Sequence, residues 1–361
     1  MKKLSEKRVL VAMSGGVDSS VAAARLVEEG YEVTGVSMRL CNEPDACGEI
    51  LPACCSSDDF LDAFRVAEKL GFHFFVKDLR REFTMKVIEP FVKEYLSGRT
   101  PNPCIACNNW LKFHFLFSVA DQIGAKYIAT GHYGRIQLDE KGVFHLLKGK
   151  DTKKDQSYFL FGLTQGQLKR VLFPLGEMTK EEVREVARQL ELPTAEKRES
   201  QEICFVHEKR AGDFVRNFAG MEEAGGEILD KRGKVVGRHK GIMYYTVGQR
   251  SGLGISHPTP LYVVKIDAKG NKVIVGENSD LQAQVVSASG VNYPSSIKPR
   301  VGDRVNARIR YRHEAKPAIV TAVGEDTITV RFERSVRAAT PGQALVLYDG
   351  EECLGGGWIE A

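Results

Sequence analysis

Short apolar runs alternate with amphipathic stretches through the first half of the chain. Arg8–Met13, Glu32–Met38, His73–Asp78 and Lys126–Ala129 read as strands, and Ser19–Glu29, Ser57–Leu70, Glu82–Ser97 and Trp110–Ile123 as helices. In Ser57–Leu70 the residues Phe60, Phe64, Ala67 and Leu70 share one face, and Gly71 follows as a stop. Strands alternating with helices imply crossover connections and a parallel sheet, whose ligands sit beyond the carboxyl ends of the strands. Lys180–Leu190 is the last helical pattern before the character changes. From Gly226 the chain reads as short strands with glycine turns: "GEILDKRGKVVG", "PLYVVKIDAKGNKVIVG", "DRVNARIRYR", "KPAIVTAVGEDTITVRF" and "QALVLYDGEECLGGGWI".

The predicted architecture is α/β, with a parallel-sheet N-terminal domain over residues 1–210. A small, mainly-β central domain over 211–282 and a C-terminal β-barrel over 283–361 follow. A chain of 361 residues exceeds the size at which one core usually keeps growing, so several domains are expected. With 27% charged and 43% hydrophobic residues, the composition excludes global disorder. A formal charge of +4 is too small to imply an anionic partner, so the clustering of basic residues has to decide that question. The apolar part of "MKKLSEKRVLVAM" is too short for a signal peptide or a membrane span, which makes the cytoplasm the expected location.

Between the first strand and the first helix lies Ser14-Gly15-Gly16-Val17-Asp18-Ser19. A strand, a glycine turn and a helix start expose backbone N–H groups at the positive end of a helix dipole, which favours an anion. The loop has neither the Gly-Lys-Ser/Thr of a Walker loop nor the spacing of a dinucleotide fingerprint. It matches the pyrophosphate-loop motif of the ATP pyrophosphatase superfamily. Ser14, Ser19, Ser20 and the loop amides can then hold pyrophosphate, and Asp18 can help hold Mg²⁺, a hard ion that prefers oxygen ligands.

Eight cysteines without regular spacing suit buried, metal-bound or catalytic roles better than a disulfide framework. Cys104 and Cys107 fall in "SGRTPNPCIACNNWLKF", ahead of the helix predicted from Trp110, whose start would lower a nearby thiol pKa. Cys204 lies in "ESQEICFV", where the first domain ends; Cys41, Cys47, Cys54 and Cys55 lie in a polar insertion; Cys353 reads as packing.

The sequence resembles the tRNA-specific 2-thiouridylases (MnmA/TrmU type) over nearly its full length. The blocks that carry the resemblance are "AMSGGVDSSVAA", "GRTPNPCIACN", "IATGHY", "DQSYFL", "ICFV", "TVGQRSGLGI", "TPGQALVLY" and "CLGGGWI". The resemblance implies adenylation of the 2-oxygen of the wobble uridine in tRNAs for Lys, Glu and Gln, followed by its replacement with sulfur from a persulfide-carrying donor protein. It implies that Ala12, Met13, Ser14, Gly15, Gly16, Val17, Asp18, Ser19, Met38 and Gly131 hold ATP with Mg, and that Asn102, Pro103 and Cys104 meet the target base. It gives Cys204 the persulfide and Cys107 the role of second thiol, with a transient disulfide between them. Lys154, Asp155 and Gln156 would touch tRNA, as would Arg310, Tyr311 and Arg312.

One position departs from the family pattern: Cys104 stands where many members carry an acidic residue. Cys104, Cys107 and Cys204 could therefore hold a 4Fe-4S cluster with one iron open, or zinc with a fourth ligand, or Cys104 could be incidental. Both thiolation routes stay open on the sequence, as does another pyrophosphate-loop adenylating ligase. A nucleotide-binding module without chemistry would need neither Cys107 nor Cys204. In "RVNARIRYR", Arg304, Arg308, Arg310 and Arg312 alternate with apolar residues, predicting a one-sided basic stripe suited to tRNA phosphates. Lys231 to Lys240 forms a second basic cluster, and the oligomeric state is not legible.

Overall fold

The computed structural model describes residues 5–40, 57–198, 203–206 and 210–360. Cys41, Cys47, Cys54 and Cys55 lie outside the described residues. The N-terminal part contains β1 (Ser5–Ala12), β2 (Glu32–Arg39), β3 (His73–Asp78), β4 (Ala125–Ala129), the hairpin β5 (Gly134–Leu138) and β6 (Phe144–Lys148), and β7 (Val171–Leu172). Five of these form a sheet in the order β3-β2-β1-β4-β7, and β1 runs parallel to both neighbours. As the central strand it is apolar on both faces. Leu10 packs into the core that holds Phe113 and Ile128, whereas Val9 and Val11 enter the core that holds Val33, Ala63 and Val66.

The helix Ser57–Leu70 forms with the predicted bounds but turns a different face inward. Its buried residues are Ala63, Val66 and Ala67, and Phe64 remains exposed. Small side chains let this helix lie close to the sheet. The two phenylalanines ride at its margin, Phe60 beneath the Arg39 guanidinium and Phe64 edge-on to Phe74. The helix predicted from Trp110 starts earlier, at Pro103, and continues through a π-helical stretch, Cys107–Lys112, into Phe113–Ile123. Asn102 caps it, since its Oδ1 accepts from the backbone N–H groups of Cys104 and Ile105.

The central sheet comprises β8 (Gly226–Leu229), β9 (Val235–His239), β10 (Tyr262–Asp267) and β11 (Lys272–Gly276), in the order β10-β11-β8-β9. The C-terminal part comprises β12 (Gln282–Asn292), β13 (Arg304–Arg308), β14 (Lys316–Val323), β15 (Thr327–Arg337), β16 (Ala344–Asp349) and β17 (Glu352–Ile359). Pairing of β12 with both β15 and β17 closes these six antiparallel strands into a barrel.

The β5–β6 hairpin has no counterpart in the predicted element list. Its turn is built by Asp139, whose Oδ1 accepts from the N–H groups of Lys141 and Val143. The hairpin extends the barrel sheet, with Leu147 of β6 opposite Glu352 of β17. One core cluster accordingly mixes Leu146, Tyr158, Leu160 and Phe161 with Ala344, Val346, Tyr348 and Cys353. The first and last parts of the chain share apolar contacts that neither has alone. No helix among the described residues is long and apolar enough to cross a membrane.

Candidate nucleotide and thiol site

The glycine loop leaves β1 and enters the helix Val17–Glu28, as the sequence predicts. Gly15 has φ +72°, and a Cβ there would lie 2.2 Å from the Asp59 carbonyl oxygen, so conformation and close approach both demand glycine. Gly16 is the N-cap and offers no side-chain bond to the helix start. The first-turn amides are therefore left for another acceptor. Ser19 and Ser20 are buried, each donating its hydroxyl to the Gly16 carbonyl, and Ser14 stays exposed with its Oγ 3.3 Å from that of Ser19. Gly131 completes the wall: a Cβ there would come 2.9 Å from the Asp18 carbonyl carbon and the Ser19 nitrogen. Met13 donates its N–H to the Val36 carbonyl, and Met38, the penultimate residue of β2, lies in the adjoining core.

Asp18 occupies the first turn of that helix and is not alone. Its Oδ1 accepts from Lys180 Nζ at 2.6 Å and from the Tyr133 hydroxyl at 2.7 Å, which leaves Oδ2 outside these two bonds. An uncapped helix start, exposed Ser14 and one carboxylate oxygen together suit a triphosphate with its Mg²⁺. Beside them His132 lies between the Phe113 and Phe173 rings, with Nδ1 2.8 Å from the Thr130 hydroxyl. Burial, aided by the Lys112 charge, lowers its pKa to about 3, so the imidazole is neutral near pH 7. Of "TGHY" the resemblance implies a role for Gly131 alone, whereas His132, Tyr133 and the distant Lys180 also stand at the site. The first two stand in a motif already quoted; Lys180 carries no local signal.

Cys104 and Cys107 lie inside the helical segment, not ahead of it. Cys104 is exposed, and Cys107 is buried in the cluster that holds Phe83, Phe91, Leu111, Phe205 and Phe214. The expected lowering of a thiol pKa at the helix start does not hold for Cys104. Although the residue reaches solvent, the protein packed around its sulfur pushes the pKa up; Lys112 opposes that and Cys204 adds to it. Cys104, Lys112 and Cys204 are thus within electrostatic reach of one another. Cys204 is exposed in a turn, anchored by buried Phe205 and Val206. The Phe205 ring meets Phe83, Phe91 and Phe214 at centroid distances of 5.6, 5.1 and 5.2 Å. One apolar cluster therefore seats both Cys107 and the segment that carries Cys204, with the cysteines present as thiols. Of the alternatives the sequence leaves open, the three-thiolate site finds no support among the described residues, where no three ligating side chains converge. Cys353 is packing, fully buried in the shared core.

All three parts of the chain hold the turn that leads into Asn102-Pro103-Cys104. Thr100 donates its N–H to Pro341 at 2.8 Å, and its carbonyl accepts from Gln343 Nε2. Its hydroxyl lies 3.3 Å from that of Thr246 in the central part. Arg99 bonds Glu94, Glu360 and the Ile359 carbonyl.

The basic stripe predicted on "RVNARIRYR" does not form as a continuous exposed face. Strand alternation lasts only to Arg308, where β13 ends. Arg308 turns inward to Asp155, 3.5 Å away, and Arg310 donates to the carbonyls of Val247 and Ala338 and to the Thr340 hydroxyl. Tyr311 packs on Phe159, leaving Arg304 and Arg312 exposed. Asp155 is 3% exposed and accepts from the N–H groups of Gly149 and Ser157, so in this structure its carboxylate acts as an internal strut. Gln156 accepts from the Tyr133 N–H, while Lys154 is half-exposed.

A glycine-loop α/β domain, joined to a small β domain and a closed barrel and seating two thiol segments on one apolar cluster that Ala12 of β1 also meets, defines a nucleotide-dependent, cysteine-bearing class of protein. Family models match in the same succession: the tRNA methyl transferase HUP domain over residues 7–208, the tRNA methyl transferase PRC-barrel domain over 212–277 and the aminomethyltransferase beta-barrel domain over 284–359. The tRNA-specific 2-thiouridylase MnmA of Geobacter metallireducens is 50% identical, the alignment covering 100% of this chain and 99% of that protein. The enzymes of the same name from Geotalea uraniireducens and Carboxydothermus hydrogenoformans are 49% and 48% identical, each covering 100% of this chain and 96% and 99% of their own. The chain belongs to the tRNA-specific 2-thiouridylase family of tRNA sulfurtransferases.

Proposed function

We propose that this chain replaces the 2-oxygen of a tRNA wobble uridine with sulfur, using ATP to activate the oxygen and two cysteines to deliver the sulfur. The observation that carries the reading is the seating of Cys107 and the Cys204 segment on one apolar cluster, against which Ala12 at the end of β1 also packs, in a member of the 2-thiouridylase family.

A uridine carbonyl oxygen is a poor leaving group. The loop amides, Ser14 and the buried hydroxyl network of Ser19 and Ser20 hold the phosphates of ATP while the uridine 2-oxygen attacks the α-phosphorus and pyrophosphate departs. Asp18 would hold the Mg²⁺ that accompanies ATP. Cys204, charged to a persulfide by a donor protein, presents its terminal sulfur to C2. The new C–S bond forms as AMP leaves with the oxygen. Cys107 then attacks the Cys204 Sγ, breaking the S–S bond so that sulfur stays on the base, and a Cys107–Cys204 disulfide remains. A thiol reductant restores both cysteines. Exposed Cys204 suits loading by a partner, and buried Cys107 suits a thiol that acts only inside the site. The tRNA set is Lys, Glu and Gln type, and the working compartment is the cytoplasm.

Incubation with ATP, Mg²⁺, a persulfide source and unmodified tRNA transcript, followed by nucleoside mass spectrometry, tests this. Sulfur at the first anticodon base is expected with iron-free protein. An unlabelled base in both iron-free and iron-reconstituted protein overturns the reading, and labelling only with iron overturns the persulfide route.

A further inference from the structure

Lys180 opens the helix Lys180–Gln189, and its side chain is only 8% exposed. Lysine is almost never buried this far unless it is paired. Its partner is not on its own helix: Nζ meets Asp18 Oδ1 at 2.6 Å, across 162 positions of sequence. The approach is fixed at several points. Thr179 caps the helix through a reciprocal box with Glu182, and the Lys180 N–H donates to Asp151 at 3.0 Å. Tyr133, whose hydroxyl shares the same Asp18 oxygen, is itself held by the bond from its N–H to Gln156. The Asp18 side chain is 32% exposed, and the lysine lies in the drier position against it.

An aspartate in the first turn of a phosphate-binding helix presents a difficulty. It suits the helix dipole when the loop is empty, but it repels a polyphosphate brought to the same amides. We propose that Lys180 belongs to the nucleotide site as a positioning residue that neutralises Asp18, so that the loop accepts a nucleoside triphosphate before a divalent cation arrives. This rests on the reading of Ser14 to Ser19 as a triphosphate cradle. The lysine acts through the carboxylate, and Tyr133 keeps the carboxylate turned toward it.

The test is ATP binding to the full chain by calorimetry, in EDTA and again in Mg²⁺. In EDTA, Lys180→Met should weaken ATP by about tenfold or more, because the acid is left uncompensated. Adding Asp18→Asn to Lys180→Met should return affinity to within about threefold of the parent, and Lys180→Arg should hold it there. A lysine that only held the loop in shape would give no tightening of ATP in Asp18→Asn alone, since breaking the pair would then loosen the cradle. Should Lys180→Met fail to fold, Asp18→Asn alone decides, since the surplus positive charge should tighten ATP in EDTA. Unchanged ATP affinity in Lys180→Met, absence of rescue in the double variant, or no tightening in Asp18→Asn each overturns the proposal while leaving the cradle intact. A parent protein that binds no ATP in either condition overturns the cradle reading and this proposal with it.

Discussion

Gln343 of the barrel donates its Nε2 to the Thr100 carbonyl at 2.8 Å, fastening the turn that leads into Asn102 and Cys104. Its neighbour Gly342 has φ +88°, and a Cβ there would come 3.0 Å from the Thr100 backbone. Gly342→Ala should cost about 1–3 kcal/mol and loosen this turn. Thiolation should fall well below the parent rate while ATP affinity holds, as read by single-turnover kinetics and calorimetry. An equal loss of both would place the defect in the whole fold.

Arg310 and Arg312 should part company. Arg310→Ala removes donors from two backbone carbonyls at the junction of central domain and barrel, and is expected to cost about 2–4 kcal/mol in urea unfolding. Arg312 is exposed, so Arg312→Ala should leave stability within about 0.5 kcal/mol. If Arg312 meets a phosphate, that change weakens tRNA binding and lowers the salt slope by about one. Equal stability losses in the two variants would refute the assignment.

His145 of the hairpin lies 2.7 Å from Glu352 of the barrel and 3.3 Å from Asp139. Burial lowers its pKa, but the hydrogen bonds to Glu352 and Asp139 outweigh this, and the net shift is upward. The stability it adds is complete below the unfolded value near 6.5, and is lost as pH rises through the higher folded value. The urea midpoint of the parent should therefore decline just above pH 6.5, and His145→Gln should flatten that decline. An identical slope in the variant would show that another group titrates there.

Cys107→Ser and Cys204→Ser should each abolish thiolation in the parent fold. Both should still release pyrophosphate from ATP in the presence of transcript, because neither thiol touches the glycine loop in the proposed chemistry. Cys104→Ser should retain iron-free thiolation, since Cys104 carries neither sulfur step. Thiolation persisting in Cys107→Ser or Cys204→Ser removes the two-thiol scheme.

Local chemistry was legible in the sequence: Gly15 and Gly16 between a strand and a helix announced the cradle, and alternating apolar residues announced the barrel strands. What depended on partners far along the chain was not. Phe60 and Phe64 satisfy a helical period as well as Ala63 and Val66 do, and only the closeness of the sheet decides which face turns inward. Arg308 and Arg310 alternate with apolar residues as surface cations would, yet Asp155 and the carbonyls of Val247 and Ala338 draw them inside. Lys180 lies in an ordinary capped helix, and nothing nearby hints at Asp18. Cys104 and Cys107 were visible as a pair, but the π-helical stretch that buries one beside the other was not.

The pairing of β6 with β17 orders events in time as well as in space. During synthesis the nucleotide domain leaves the ribosome first, yet Leu146 and Tyr158 find their neighbours Val346, Tyr348 and Cys353 only when the last strands have been made. Until then a sticky seam stays open on the nascent polypeptide, and it closes only when β16 and β17 supply the missing half of that core.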